Sequence, residues 1–266
     1  MIVEANGIRF NCVISGRQGA PWLTFSNALA TDLTMWDEQA RAFAGDYRIL
    51  RYDTRGHGGS TAASGPYSLD MLADDVVAIW DAIGVGRSHV VGLSIGAMTA
   101  VGLALRHPER LDRVVVANAR PDNPCELRGA REQRIAAIRR GGMPGLAEPT
   151  VERWCSGAFL ASQPDAAKML VSMVAGTSAA GYAGCVHALL GLDYRERLGE
   201  IRAPTLFVAG GRDAGVPPEA MREMHRAVCG SQFVELPRAG HISNVECPVE
   251  FNRAVGEFLS ARSDGR

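Results

Sequence analysis

The segment "HVVGLSIGAMTAVGLAL", residues 89–105, constrains the fold more than any other part of the chain. It begins as a short β-branched, apolar run of the kind buried on both faces of a sheet, then repeats apolar residues at helical spacing. Ser94 stands at the junction, between Gly92 and Gly96. A strand that turns at once into a helix strains the backbone of the corner residue and crowds its neighbours, and flanking glycines relieve the crowding. Such a corner presents the Ser94 hydroxyl at the sheet edge, beside the free N–H groups of a helix start. A serine serving only to turn the chain would need neither the strand before it nor the helix behind it.

Further apolar runs read as strands: "IRFNCVI", "WLTFSN", "YRILRYD", "RVVVANA", "TLFVAG" and "QFVELP". Helical patterns separate most of them, as in "SLDMLADDVVAIWDAIG", where Ser68 can cap the start and Gly84 the end. The expectation is an α/β fold with a mostly parallel central sheet flanked by helices. From about Arg120 to Gly199 the alternation gives way to helices joined by Gly and Pro breaks. Residues 120–199 therefore read as a helical lid inserted into a core formed by residues 1–119 and 200–266. A lid rising from the carboxyl ends of the strands would roof the place where open α/β sheets bind ligands.

Composition narrows the function. The 266 residues are 47% hydrophobic and 21% charged, with a formal charge of −1, and contain no basic cluster interleaved with aromatics, so nucleic acid is not an expected partner. No apolar run approaches the roughly 20 residues of a membrane span, and the N-terminus lacks the pattern of a secretory signal. A cytoplasmic protein is expected. The six cysteines are scattered, without CxxC or a suitably spaced histidine, and read as free thiols with no metal site. A homo-oligomer is compatible with all of this.

A serine hydroxyl needs a base, and the base needs an orienting group. Of the six histidines, His241 follows the last strand signal in "ELPRAGHISNVECP", where a loop can carry it to the carboxyl edge. His57, His89, His107, His187 and His225 lie in turns, strand starts or helical patterns and read as packing or surface residues. Asp213, in "FVAGGRDAGVPPE", sits between a strand and a helix and is the expected orienting acid. Ser94, Asp213 and His241 occur in the chain order this architecture requires. The oxyanion donors are expected to be the N–H of Ile95 and that of Leu29 in "FSNALATDLTMW". Asn27 reads equally as a turn residue or as a substrate contact.

These segments, with "LRYDTRGHGGS", "ERW" and "AAGYAGCVHAL", resemble the α/β-hydrolase superfamily and, within it, the 3-oxoadipate enol-lactonase group, over nearly the whole chain. The resemblance implies cofactor-free hydrolysis of a carboxylated enol lactone in aromatic catabolism, with Ser94, Asp213 and His241 as the triad and Leu29 and Ile95 as oxyanion donors. It places Trp154 on the lid side of the pocket and aligns Arg134 with a lid arginine of the family. Departures cluster in the lid: Arg131 stands near a usual tryptophan, and Cys155 where phenylalanine usually follows Trp154. A substrate carboxylate would need a cation, for which Arg134 is the first candidate, followed by Arg120 and Arg131. Alternatives are a carboxylesterase or carbon–carbon bond hydrolase of the same fold, a perhydrolase-like enzyme, and a ligand receptor or signalling protein that retains the triad.

Overall fold

In the computed structural model, which describes residues 1–261, eight strands form one sheet. They are β1 (Ile2–Ala5), β2 (Ile8–Gly16), β3 (Trp22–Ser26), β4 (Arg48–Tyr52), β5 (Ser88–Leu93), β6 (Leu111–Ala117), β7 (Thr205–Gly210) and β8 (Gln232–Leu236). Their spatial order is β1-β2-β4-β3-β5-β6-β7-β8. β2 runs antiparallel to both of its neighbours, and all remaining pairs are parallel. The sequence reading misses β1. The strand is short and joins β2 through Asn6-Gly7, whose φ values of 44° and 75° are those of a tight hairpin turn.

The central strands β5, β6 and β7 are apolar through their middles, Val90–Leu93, Val114–Ala117 and Leu206–Gly210, because both of their faces are buried there. Val90, Val114, Val116 and Phe207 point into one core layer, whereas Val91, Val115, Leu206 and Val208 point into the other. The first layer is covered by α2 (Leu69–Ile83), α3 (Ile95–Arg106) and α9 (Pro218–Ala227); the second by α1 (Asp37–Phe43) and α11 (Pro248–Ser260). α2 ends as its residues dictate: Ser68 accepts from the Met71 N–H at 3.1 Å, and Gly84 closes the helix at φ 75°.

Between β6 and β7 lie five helices, α4 (Cys125–Gly141), α5 (Pro144–Trp154), α6 (Gly157–Ser162), α7 (Pro164–Gly176) and α8 (Ala179–Leu190). The segment "PTVERWCSGAFL" divides between α5 and α6 at Cys155, and Ser156 caps α6 by accepting from the Phe159 N–H. The insertion rests on the core through backbone contact. A Cβ on Gly181 would lie 2.2 Å from the carbonyl oxygen of Gly56, so only glycine permits this approach. His57, next to that seam, is almost fully buried, with Nδ1 3.1 Å from the Arg55 carbonyl. A four-residue helix, α10 (Ser243–Glu246), follows β8. Among the described residues no single helix is long and apolar enough to cross a membrane.

Candidate active site

Ser94 occupies the corner between β5 and α3 with φ 58° and ψ −117°, a backbone conformation that side-chain-bearing residues rarely adopt. The strain is held in place from both sides. The Ser94 N–H donates to the Ala117 carbonyl at 2.9 Å, and its own carbonyl accepts from the Met98 N–H at 3.1 Å. The neighbouring glycines are obligatory: a Cβ on Gly96 would come 2.1 Å from the Ser26 carbonyl oxygen, and one on Gly92 would come 2.2 Å from that of Gly96.

Loops from the ends of β7 and β8 bring Asp213 and His241 to this corner. His241 Nε2 lies 3.0 Å from Ser94 Oγ, and Nδ1 lies 2.7 Å from Asp213 Oδ2. Burial alone would raise the Asp213 carboxyl, but the charge and hydrogen bond of His241, with the Asn118 amide and Val216 N–H, outweigh it and hold Asp213 below the ordinary carboxylate range. An ionised carboxylate only accepts, so Nδ1 of His241 carries its proton and Nε2 is left to accept from the Ser94 hydroxyl. Such a chain can draw the proton from the serine as its oxygen attacks a carbonyl.

The acid and the histidine loop are themselves fixed. Asp213 Oδ1 accepts from the Gly215 and Val216 N–H groups, both at 2.9 Å. Asn118, at the end of β6 with φ 48°, donates from Nδ2 to Asp213 Oδ2 at 3.0 Å and to the Gly240 carbonyl at 3.1 Å, while its Oδ1 accepts from Ser243 Oγ at 2.5 Å. On the other side, the His241 N–H donates to the Trp154 carbonyl at 2.6 Å. Glu246 accepts from the Gly240 N–H with one oxygen and from the Ser156 N–H with the other, the latter at 2.7 Å. The break between α5 and α6 is thereby tied to the loop that carries the histidine.

The Leu29 and Ile95 amides find no protein acceptor among the described residues, and Leu29 lines the same cavity as Ser94. The Leu29 loop is braced from below by Asp53, which accepts from the Leu33 and Gly59 N–H groups at 2.7 and 2.8 Å and from Asn11 Nδ2 at 2.8 Å. Asn27, expected as a turn residue or a substrate contact, belongs to this bracing and not to the cavity wall. It is fully buried; its amide nitrogen donates to the Tyr52 carbonyl at 2.9 Å and its oxygen accepts from Trp36 Nε1 at 3.0 Å. Its side chain is thereby turned into the loop and does not line the cavity.

The cavity above Ser94 holds about 250 Å³. Its core side includes Leu29, Met98, Asn118 and Val216; its insertion side includes Trp154 and Arg134, both anticipated, together with Arg131, Arg153 and Tyr182. The Trp154 ring lies 6.3 Å from that of His241, centroid to centroid. Arg153 and Tyr182 escape the sequence reading although "ERW" and "AAGYAGCVHAL" contain them, because nothing in either segment tells which helix face meets the other. Arg134 lies beside the Tyr182 hydroxyl, and burial raises that phenol despite the neighbouring cations. Among the described residues no group of three or more His, Cys, Asp or Glu side chains is arranged to hold a metal ion.

Residues 21–156 match the model of the alpha/beta hydrolase fold family. The chain is 36% identical to 3-oxoadipate enol-lactonase 2 of Acinetobacter baylyi over 95% of its own length and 94% of the relative's. It superposes on the enol-lactonase from Burkholderia xenovorans with a TM-score of 0.94 at 34% identity, covering 98% of this chain and 100% of that one. A hydrolase from Pseudomonas aeruginosa matches with a TM-score of 0.93 at 34% identity, covering 98% of each chain. The chain therefore belongs to the α/β-hydrolase family and is a hydrolase of that fold. Within the family its similarity runs to the 3-oxoadipate enol-lactonases.

Proposed function

We propose that this hydrolase opens a carboxylated enol lactone, 3-oxoadipate enol-lactone or a close analogue, through a covalent acyl-serine. The observation that carries the reading is the 3.0 Å approach of His241 Nε2 to Ser94 Oγ on the floor of a cavity whose roof carries arginines. Ser94 Oγ attacks the lactone carbonyl carbon while His241 takes its proton, and Asp213 stabilises the imidazolium. The Leu29 and Ile95 N–H groups receive the oxyanion. Collapse of the tetrahedral adduct breaks the ring C–O bond; the departing enol oxygen takes the proton from His241 and the enol ketonises. Water, deprotonated by His241, then attacks the acyl carbon and releases the new carboxylic acid.

The substrate carboxylate is received at Arg134 and Tyr182, with Trp154 packing over the reacting ring. A charge-assisted bond to a half-buried guanidinium on the wall of a partly apolar cavity contributes more than a surface pair. The helices between β6 and β7 act in this reading as the lid.

The test is multiple-turnover hydrolysis of 3-oxoadipate enol-lactone beside uncharged esters of similar size and a ring-cleavage diketone. A kcat/KM for the lactone at least about tenfold above every other compound, a margin of about 1.4 kcal/mol, is expected. Equal or better turnover of uncharged esters would make the protein an esterase and remove the carboxylate from its specificity.

A further inference from the structure

The oxyanion donor at Leu29 is a main-chain N–H, which survives any substitution at its own position except proline. What a substitution can reach is its support. Leu29 lies in a turn, residues 28–31, closed by the Thr31 N–H donating to the Ala28 carbonyl at 3.3 Å, with Ala30 at φ 62°. Asp53 grips Leu33 and Asn27 grips Tyr52 and Trp36, so these braces hold the chain on either side of the turn without entering it. Among the described residues, the hydrogen bonds that leave the turn for the rest of the chain both end on one atom. The Ala28 N–H donates to Met35 Sδ at 3.4 Å, and the Thr31 hydroxyl lies 2.9 Å from the same sulfur and 2.8 Å from the Ala28 carbonyl. A thioether is a weak acceptor, but Ala28, Thr31 and Met35 are each at most 2% exposed, and a buried N–H without any acceptor is costly.

Met35 is held in turn by the loop that carries the histidine. It belongs to the helical turn Leu33–Trp36, and its carbonyl accepts from Asn244 Nδ2 at 2.8 Å. Asn244 stands in α10, three residues beyond His241, and is fully buried. Its other amide hydrogen goes to Gln39 Oε1 at 3.1 Å; Gln39 returns one to the Asn244 carbonyl at 3.1 Å and gives its second to Asn252 Oδ1 at 2.8 Å. The orientation of the Asn244 amide is fixed, because the Met35 carbonyl can only accept. Asn244 Oδ1 is consequently buried without a partner among the described residues.

We infer that Met35 and Asn244 are positioning residues for the reaction: the thioether sets the turn that aims the Leu29 N–H, and Asn244 ties that turn to the loop of the general base. Oxyanion donor and base then keep one spacing although they come from opposite ends of the chain. The inference rests on the serine mechanism proposed above, with Leu29 as a donor, and adds two residues neither of which lines the cavity.

Butylboronic acid is the probe, because its adduct with Ser94 Oγ is a tetrahedral anion with an oxygen where the oxyanion forms. Met35→Leu removes the acceptor at nearly constant volume, and Thr31→Val removes the hydroxyl should the first variant fail to fold. Turnover is followed on whichever lactone or ester of the panel above reacts fastest. Losing an oxyanion donor outright costs about 10²- to 10³-fold in kcat; a donor set loose is expected to cost about tenfold, with KM within about twofold, and to weaken boronate inhibition by the same factor. The acid limb of the pH profile is expected to stay in place in Met35→Leu, since His241 and Asp213 keep their contacts. Asn244→Ala is expected to show the same paired loss, and unmoved values there would overturn the tie to the histidine loop. A lowered Tm with kcat and boronate affinity unmoved would make the Met35 contacts structural only and overturn the inference, as would a kcat loss that boronate affinity does not follow. Ser94→Ala stands apart: turnover that survives it would refute the serine mechanism, whereas turnover abolished there, with unmoved boronate affinity in Met35→Leu and Thr31→Val, would refute this inference alone.

Discussion

The floor and the roof of the cavity are built on opposite principles. On the floor, polar groups are matched: Asp213 has acceptor positions filled by His241, Asn118, Gly215 and Val216, and Asn118 uses both ends of its amide. On the roof, three guanidiniums line the space with neutral neighbours or none. A matched network rigidifies; an unmatched one is left for something that arrives. The difference teaches where to look for chemistry and where for selectivity. Substitutions on the floor should lower kcat, and substitutions on the roof should raise KM for anionic substrates.

The most severe break in that contrast is Ser94→Ala. It should lower kcat for lactone or ester by more than about 10⁴-fold while leaving the thermal midpoint in place, because it removes the attacking atom and no packing. Turnover kinetics with a melting curve of the same preparation checks both halves.

Second in size is an effect at the seam between floor and roof. Burial pushes His57 from its ordinary 6.5 down to about 4, and its Nε2 has no partner among the described residues. The unfolded chain then binds a proton before the folded chain does. The resulting stability is complete above pH 6.5 and is lost as pH falls toward 4; an offset of this size corresponds to about 3 kcal/mol. Urea unfolding at pH 7.5 and pH 4.5 should show the loss, and His57→Gln should flatten the contribution of this residue. An identical pH dependence in the variant would assign acid sensitivity to other groups.

Asn118→Ala comes third. Losing one hydrogen bond to the Asp213 carboxylate and another to the histidine loop should cost about 2 kcal/mol of transition-state stabilisation, about 30-fold in kcat, with KM little changed. A rise in KM at constant kcat would move Asn118 from the floor to the roof. The smallest effect expected is that of Arg134→Met. It should raise KM for a carboxylated lactone about tenfold and leave an uncharged ester unaffected. Equal losses for both substrates would point to disturbed packing of α4 against Tyr182.

The two regions were also unequally legible in the sequence. Floor residues announce themselves through local grammar: Ser94 lies between a strand signal and a helix signal with glycines at the required offsets, and Asp213 and His241 each follow a strand run. Their supports do not. Asn118 meets Asp213 across 95 positions and Glu246 meets Ser156 across 90, contacts that exist only once the sheet order is set. The roof is harder still, since α4, α5 and α8 contribute arginines and a tyrosine whose shared orientation depends on how three helices cross. Asn27, left open between a turn residue and a substrate contact, is decided by its contacts in favour of the first. A polar residue in a loop close to Ser94 invites a ligand role, yet its buried amide is bonded to Tyr52 and Trp36. The missed strand β1 has a local cause: four residues are too few for alternation to register, although the Asn6-Gly7 turn was there to be read.

The tether through Glu246 and the Trp154 carbonyl limits how the roof can open. Swinging the α5–α6 junction outward would pull the His241 loop with it and part the imidazole from Ser94. α4, which carries Arg131 and Arg134, is not joined to the histidine loop by this tether. An incoming anion would then meet positive charge before it meets the nucleophile, and selection would precede reaction.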